Sequence, residues 1–175
     1  NSPAFPRSTV DGYAVRASDT FGASESLPAY LNLIGEIPMG QPAQVSLQPG
    51  QTALIHTGGM LPDNADAVVM LEQTQVARPG EIEILKAVAW GENILATSED
   101  VSTGQAVIPA GKRLRPADIG GLMALGIQQV TAAKQPVVAL ISTGDEVIPP
   151  NQSPLPGQVR DINTYTLAAL IEQAG

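Results

Sequence analysis

Between residues 27 and 90 the chain alternates short apolar runs with turn-forming clusters. The runs are Leu31–Ile34, Ala53–His56, Ala67–Leu71 and Ile82–Ala87. Between them lie Pro38-Met39-Gly40, Pro49-Gly50, Gly58-Gly59, Pro62-Asp63-Asn64 and Pro79-Gly80. Apolar runs this short, at this spacing, predict the strands of a small β-barrel or sandwich. Upstream, Ser2-Pro3-Ala4-Phe5-Pro6-Arg7 is a Pro-punctuated entry, and Ser8-Thr9-Val10-Asp11-Gly12-Tyr13-Ala14-Val15 reads as a turn feeding a strand.

Downstream the pattern changes. Residues 91–113 are rich in turn signals, and Ala106–Gly111 reads as a strand ending in a turn. A helix is predicted from Pro116, where the missing N–H costs nothing, through Ile119, Leu122 and Met123 to a stop at Gly126. Val137–Ser142 is continuously apolar, as strands buried on both faces of a parallel sheet are. A polar turn, Thr143-Gly144-Asp145-Glu146, and a Pro-rich loop, Pro149–Gly157, lead to a closing helix. Asn163 is its predicted N-cap, Leu167, Leu170 and Ile171 its buried stripe, and Gly175 its C-terminal stop. A single βα unit cannot cover both faces of its strand. Residues 137–175 are therefore expected to open an α/β domain continuing beyond this sequence, and to be poorly ordered, swapped or covered by a partner without it. The start at Asn1, without Met, gives the same impression of a piece of a longer protein.

Composition narrows the chemistry. The 175 residues carry a net charge of −8, one His and no Cys. The last excludes disulfides, thiolate zinc sites and a Cys nucleophile, and fits a reducing compartment. The acidic balance and 3% aromatics argue against a nucleic-acid or anionic-membrane footprint. No apolar run approaches the roughly 20 residues of a membrane span. Hydrophobic residues, at 43%, suffice for a packed core.

Few motifs carry chemistry. Gly104–Lys112 resembles a phosphate loop only superficially, because the glycine spacing is wrong and Arg113 follows Lys112. His56, inside an apolar run, reads as structural. Asp11, Asp100, Asp145 and Glu146 sit in polar turns, where carboxylates either cap local N–H groups or supply oxygens to Mg²⁺. Thr57-Gly58-Gly59 and Thr143-Gly144-Asp145 each follow an apolar run. Each is either a plain strand exit or an anion-holding concavity of backbone N–H groups. The second also lies where ligands of open α/β sheets bind, beyond a strand's carboxyl end.

The ordered series of motifs resembles the molybdopterin molybdenumtransferase family, related to the E domain of gephyrin. The segments are Ser8–Val15, His56–Pro62 with Ala65–Val69, Gly91–Ile94 with Glu99-Asp100, Gly104, Gly111, Leu125-Gly126, Ser142–Glu146 and Gly157–Asn163. The resemblance implies a mixed α/β multidomain enzyme that forms elongated dimers. Residues 1–5 would end a linker domain and 6–92 form a small, barrel-like β-rich domain. Residues 93–134 would return to the linker domain with a helix, and 135–175 begin the molybdopterin-binding α/β domain as its first βα unit.

It further implies Mg²⁺-assisted insertion of molybdenum from molybdate into adenylylated molybdopterin, with release of AMP, in the cytoplasm. A molybdopterin adenylyltransferase would supply the substrate, and no nucleic acid or membrane would be a partner. By position, Asp11, Thr57, Asp100 and Glu146 match the family's catalytic residues, with Asp11, Asp100 and Glu146 on the metal. Ser8, Gly58, Thr143, Gly144 and Asp145 match its cofactor-binding positions. Asp11 and Thr57 would face Glu146 across a homodimer. Two departures stand out. Arg7-Ser8-Thr9-Val10 replaces the usual Asn-Ser-Ala-Met, and Leu95–Ser98 lacks the cations that commonly precede Glu99-Asp100. A catalytically altered paralogue or a non-catalytic, gephyrin-like scaffold are the alternatives, and this stretch alone is expected to be inactive.

Overall fold

A computed structural model describes residues 1–175, which divide into two compact units, 1–127 and 128–175. The first contains β1 (Arg7–Ser8), β2 (Gly12–Val15), β3 (Ala29–Glu36), β4 (Gln51–Ile55), β5 (Ala67–Met70), β6 (Thr74–Arg78), β7 (Glu81–Ile84), β8 (Ile94–Leu95) and α1 (Pro116–Ala124). Six of these strands form one sheet in the order β5-β2-β4-β3-β7-β6. All pairs are antiparallel except β3 with β4. The sheet curls as a half-barrel and stays open, with β5 and β6 as its unpaired edges, so the barrel expectation is met in part.

Side chains alternate across the sheet with period two; β2, β4 and β5 are covered on both faces, whereas β3 turns one face to solvent and β6 is exposed along most of its length. Tyr13, Val15, Leu31, Ala67, Val69, Ile82 and Ile84 share one core cluster. Ala14, Ile37, Leu47, Ala53, Ile55, Leu61 and Val68 share a second. Burial on both sides explains why β5 reads as an uninterrupted apolar run. Each fully buried Leu, Ile or Val contributes about 1.5–3 kcal/mol. The buried threonines are satisfied: Thr52 Oγ1 donates to the Ala14 carbonyl at 2.8 Å. Thr20 Oγ1 donates to the Ala17 carbonyl at 2.8 Å and accepts the Val88 N–H at 3.1 Å.

The Gly91–Ile94 motif is architectural. It shields the β5 edge, since the Val68 N–H donates to the Glu92 carbonyl at 3.1 Å and the Asn93 amide donates to the Val68 carbonyl at 2.8 Å. The polypeptide ends flanking this sheet run side by side. β1 pairs with β8, and Ser2 bridges Val101.

Two elements differ from expectation here. β6 is a strand that its composition hides, because four of its five residues are exposed and its regular backbone comes from pairing with β7. Ala106–Gly111 is not a strand. No strand lies beside it to complete a ladder, and Val107 and Ile108 instead line an apolar hollow of about 260 Å³ with Gly121, Leu122 and Leu125 of the α1 region. α1 begins at Pro116 as predicted, and Asp118 reaches back to accept the Arg115 N–H at 2.9 Å. Its stop is also as predicted: the Gly126 and Ile127 N–H groups donate to the Met123 and Leu122 carbonyls at 3.0 and 2.9 Å.

The second unit holds β9 (Val147–Ile148), parallel to β10 (Val159–Arg160), and α2 (Asn163–Ala174). Val137–Ser142 forms no strand, contrary to expectation; Val137 is fully exposed and Ile141 85% exposed. An extended apolar segment gains a ladder only from a neighbouring strand, and the chain provides none at this position. For the same reason the α2 stripe is not buried: Leu167 and Leu170 are exposed and Ile171 is half-buried. Asn163 is the first helical residue rather than the cap. Asp161 performs the capping, accepting the Thr164 N–H at 3.1 Å and its hydroxyl at 2.6 Å. These bonds, the hydroxyl's first, hold the Asp161 carboxyl below its ordinary range.

Candidate functional site

Asp11 ends the turn between β1 and β2, and Thr57 lies two residues beyond β4. Because β2 and β4 pair with Gly12 opposite Ile55, the two turns emerge at the same sheet end. There the Thr57 N–H and hydroxyl both donate to Asp11 Oδ1, at 2.8 and 3.1 Å. These two bonds, the backbone one first, and then the nearby His56 hold the Asp11 carboxyl below its ordinary range. Asp11 is therefore a carboxylate at neutral pH, more than half exposed, with Oδ1 committed and Oδ2 without a protein donor.

The turn is built for that presentation. Ser8 is buried; its hydroxyl donates to the Val10 carbonyl at 2.5 Å and accepts the Val10 N–H at 3.2 Å. Ser8 thus shapes the Asp11 turn from inside, and its oxygen is not presented to a ligand as the resemblance implies. Gly12 must lack a side chain, since a Cβ there would lie 2.0 Å from the Val69 carbonyl oxygen.

The anion-holding reading of Thr57-Gly58-Gly59 does not survive the geometry. The Thr57 N–H is given to Asp11, the Gly58 N–H to the Ser8 carbonyl at 2.8 Å and the Gly59 N–H to the His56 carbonyl at 2.8 Å. No N–H remains to face an anion, so this end of the sheet offers negative charge and acceptors. His56 also differs from its sequence reading. It is 38% exposed at this same end, with Nε2 2.8 Å from Glu36 Oε1 and Nδ1 3.8 Å from Asp11 Oδ1. Glu36 had no signal in the sequence, because its proximity depends on a β3 register irregularity that periodicity does not encode.

Of the remaining predicted residues, Asp100 makes no contact with this pair. Asp100 is exposed on the Ser2–Val101 bridge, its N–H donating to the Ser2 carbonyl at 3.0 Å and its carboxylate accepting the Ser2 hydroxyl at 3.4 Å. Thr143, Gly144, Asp145 and Glu146 belong to the second unit. There Thr143 and Glu146 line an open concavity of about 380 Å³ with Arg160, Asp161 and Asn163. Gly144 packs against the Glu146 carboxylate, where a Cβ would come within 2.8 Å of Oε2. None of these four turn residues donates its backbone N–H within the chain. With Arg160 beside them, they are the arrangement suited to an oxyanion. Arg160 stands within a motif quoted for the resemblance, yet its place in this concavity needed the β9–β10 pairing to be visible.

No three His, Asp or Glu side chains converge into a group able to hold a metal. Asp11 supplies one uncommitted oxygen, and Asp100 has no contact with it. The residues of this chain do not by themselves fit a Mg²⁺ site, which needs several oxygens in near-octahedral geometry. No helix is long and apolar enough to cross a membrane.

Comparison with known proteins places these features. Residues 1–126 match the family model described as the MoeA N-terminal region, domains I and II. Over 173 residues, 99% of this chain, it is 38% identical to the molybdopterin molybdenumtransferase of Nostoc sp., covering 39% of that protein. It is 35% identical to the molybdopterin molybdenumtransferase of Bacillus subtilis over 176 residues, 99% of this chain and 41% of that one. The chain thus spans about two fifths of the length of these curated relatives. Two crystal structures of the molybdopterin biosynthesis MoeA protein from Pyrococcus horikoshii superimpose on it. One has a TM-score of 0.86 at 42% identity, covering all of this chain and 44% of that one. The other has a TM-score of 0.90 at 38% identity, covering 98% and 46%. With the DGYA turn, the TGG turn and the half-barrel that joins them all accounted for, the chain belongs to the MoeA N-terminal family.

Proposed function

We propose that this chain forms part of the active site of a molybdenumtransferase, which transfers molybdenum from molybdate to adenylylated molybdopterin and releases AMP in molybdenum-cofactor biosynthesis. The observation that carries the reading is the Asp11–Thr57 pair, in which two hydrogen bonds fix one oxygen of an exposed carboxylate and leave the other free. A committed carboxylate of this kind orients a donor-bearing or metal-bridged ligand without reorganising. The turn of residues 143–146 with Arg160 complements it, offering N–H groups and a cation for phosphate or oxometalate oxygens.

Dimerisation belongs to the same proposal, because it lets Asp11 and Thr57 of one copy meet the Glu146 turn of a second. So do the cytoplasmic setting and an upstream adenylyltransferase as supplier. Mg²⁺ would supply charge neutralisation at phosphate oxygens, with Asp11, Asp100 and Glu146 as its candidate carboxylates. Since no group of three ligating side chains is present, no step is assigned through the ion.

The test is a chimaera in which this chain replaces the corresponding part of the Bacillus subtilis relative. AMP release from adenylylated molybdopterin is measured with molybdate and Mg²⁺. Turnover is expected, and Asp11→Asn is expected to lower it about 100-fold, because the ligand loses its orienting charge. The same substitution at the aligned position of the Bacillus protein reads the contrast independently of how well the chimaera folds. Undiminished turnover in both variants contradicts the proposal.

A further inference from the structure

We propose that Glu36, acting through His56, is a positioning residue for the Asp11–Thr57 pair; the inference rests on that pair being part of the ligand site. The argument begins in the sheet. β3 and β4 pair Asn32 with Gln51 and Leu33 with Thr52, but the next pairing is Glu36 with Leu54. One extra residue has entered β3. In unbroken register Gly35 would oppose Leu54, and Glu36 would fall on the other face of the sheet. The bulge turns Glu36 toward the residue that leaves β4, re-aiming a side chain as bulges beside sites do.

The consequence is a chain of contacts. Glu36 Oε1 lies 2.8 Å from His56 Nε2. An ionised carboxylate only accepts, so Nε2 carries a hydrogen, and the bond fixes the direction of the ring. The fixed ring turns Nδ1 toward Asp11 Oδ1 at 3.8 Å. The next residue, Thr57, donates its N–H and hydroxyl to that same oxygen. Residues 56 and 57 therefore flank Asp11, and Glu36 anchors the flank. His56 is the only basic side chain within ion-pair distance of either carboxylate. The side chains of His56, Asp11 and Glu36 are 38%, 56% and 59% exposed, so holding the core together is not their task.

One imidazole in the sequence makes the test direct. ¹⁵N NMR of the 175-residue chain should show a hydrogen on His56 Nε2. The Thr57 amide resonance should move in Glu36→Ala and His56→Ala. It should return toward its original position in Glu36→Gln, which keeps the acceptor, and His56→Gln, which keeps a donor at the same reach. Melting temperatures should stay unchanged throughout. In the chimaera, Glu36→Ala should lower kcat/KM about tenfold, with recovery in Glu36→Gln. A ring with no hydrogen on Nε2, or a Thr57 amide indifferent to both alanine variants, overturns the proposal, as does full kcat/KM in Glu36→Ala. A chimaera that is inactive before any substitution, with the NMR results as expected, counts against the proposed activity and leaves the positioning role standing.

Discussion

Replacing Gly12 by Ala should damage stability and site together. The new Cβ would stand 2.0 Å from the Val69 carbonyl oxygen, 2.9 Å from its carbon and 3.1 Å from Val68 Cγ1. The first contact is well over an ångström inside van der Waals range, and its partner is backbone, which cannot rotate away. Relief requires β5 to separate from β2, where Gly12 pairs with Met70 and Tyr13 with Val69. Overpacking of a core costs about 1–3 kcal/mol, and a backbone clash belongs at the upper end, about 3 kcal/mol. With a urea dependence of about 2 kcal/mol per M, the unfolding midpoint should fall by about 1.5 M. The Leu71 N–H donates to the Asp11 carbonyl at 3.2 Å, so β5 movement should also shift the Asp11 and Thr57 amide resonances. Urea unfolding followed by circular dichroism measures the first effect. A midpoint within about 0.2 M of the parent would refute the packing argument.

Gly120 offers the opposite case. It lies in α1 with nothing within 4 Å of a built Cβ, so Gly120→Ala should stabilise by about 1 kcal/mol, read as a higher urea midpoint. The carboxyl of Asp118 is held well below its usual range, first by the Arg115 side chain, then by the Arg115 N–H and Lys112. Because its folded value is depressed, its contribution is present above the ordinary value of 3.8 and is lost as pH falls below it. Amide protection in α1 should decline in that acid window, and the Asp118→Asn variant should show reduced protection already at neutral pH. Mg²⁺ titrated into the 175-residue chain should show no saturation in the micromolar range by calorimetry, since no three ligating side chains converge. Arg160→Ala in the chimaera should raise KM for the adenylylated substrate about tenfold while changing kcat less, because an exposed cation contributes mainly to anion capture.

The β-rich unit was legible where burial follows sequence period. Ala53–His56 and Ala67–Leu71 are apolar because both faces of β4 and β5 are covered, while in Leu31–Ile34 burial alternates, with Leu31 inside and Asn32 and Ile34 outside; each run lies at a strand of the sheet. The helix at Pro116 was legible from its ends. Thr74–Arg78 was not, because an exposed edge strand takes its conformation from its neighbour rather than its composition. Ala106–Gly111 and Val137–Ser142 carried strand-like composition without a strand to pair with. Within the site, Asp11 and Thr57 were visible as turn residues, but the exhaustion of the Thr57-Gly58-Gly59 N–H groups was not. Whether a turn holds an anion depends on which carbonyls and carboxylates lie opposite, and those come from residues 8, 11 and 56. Glu36 was hidden for a related reason: only the bulge brings it to His56.

The most direct measurement is a crystal structure of the chimaera with adenylylated molybdopterin bound. Asp11 Oδ2 should lie within hydrogen-bonding or coordination distance of the ligand or of an ion carried on its phosphates, with Oδ1 still held by Thr57. A ligand bound elsewhere, with the Asp11–Thr57 pair intact and facing bulk water in every copy, would contradict the account.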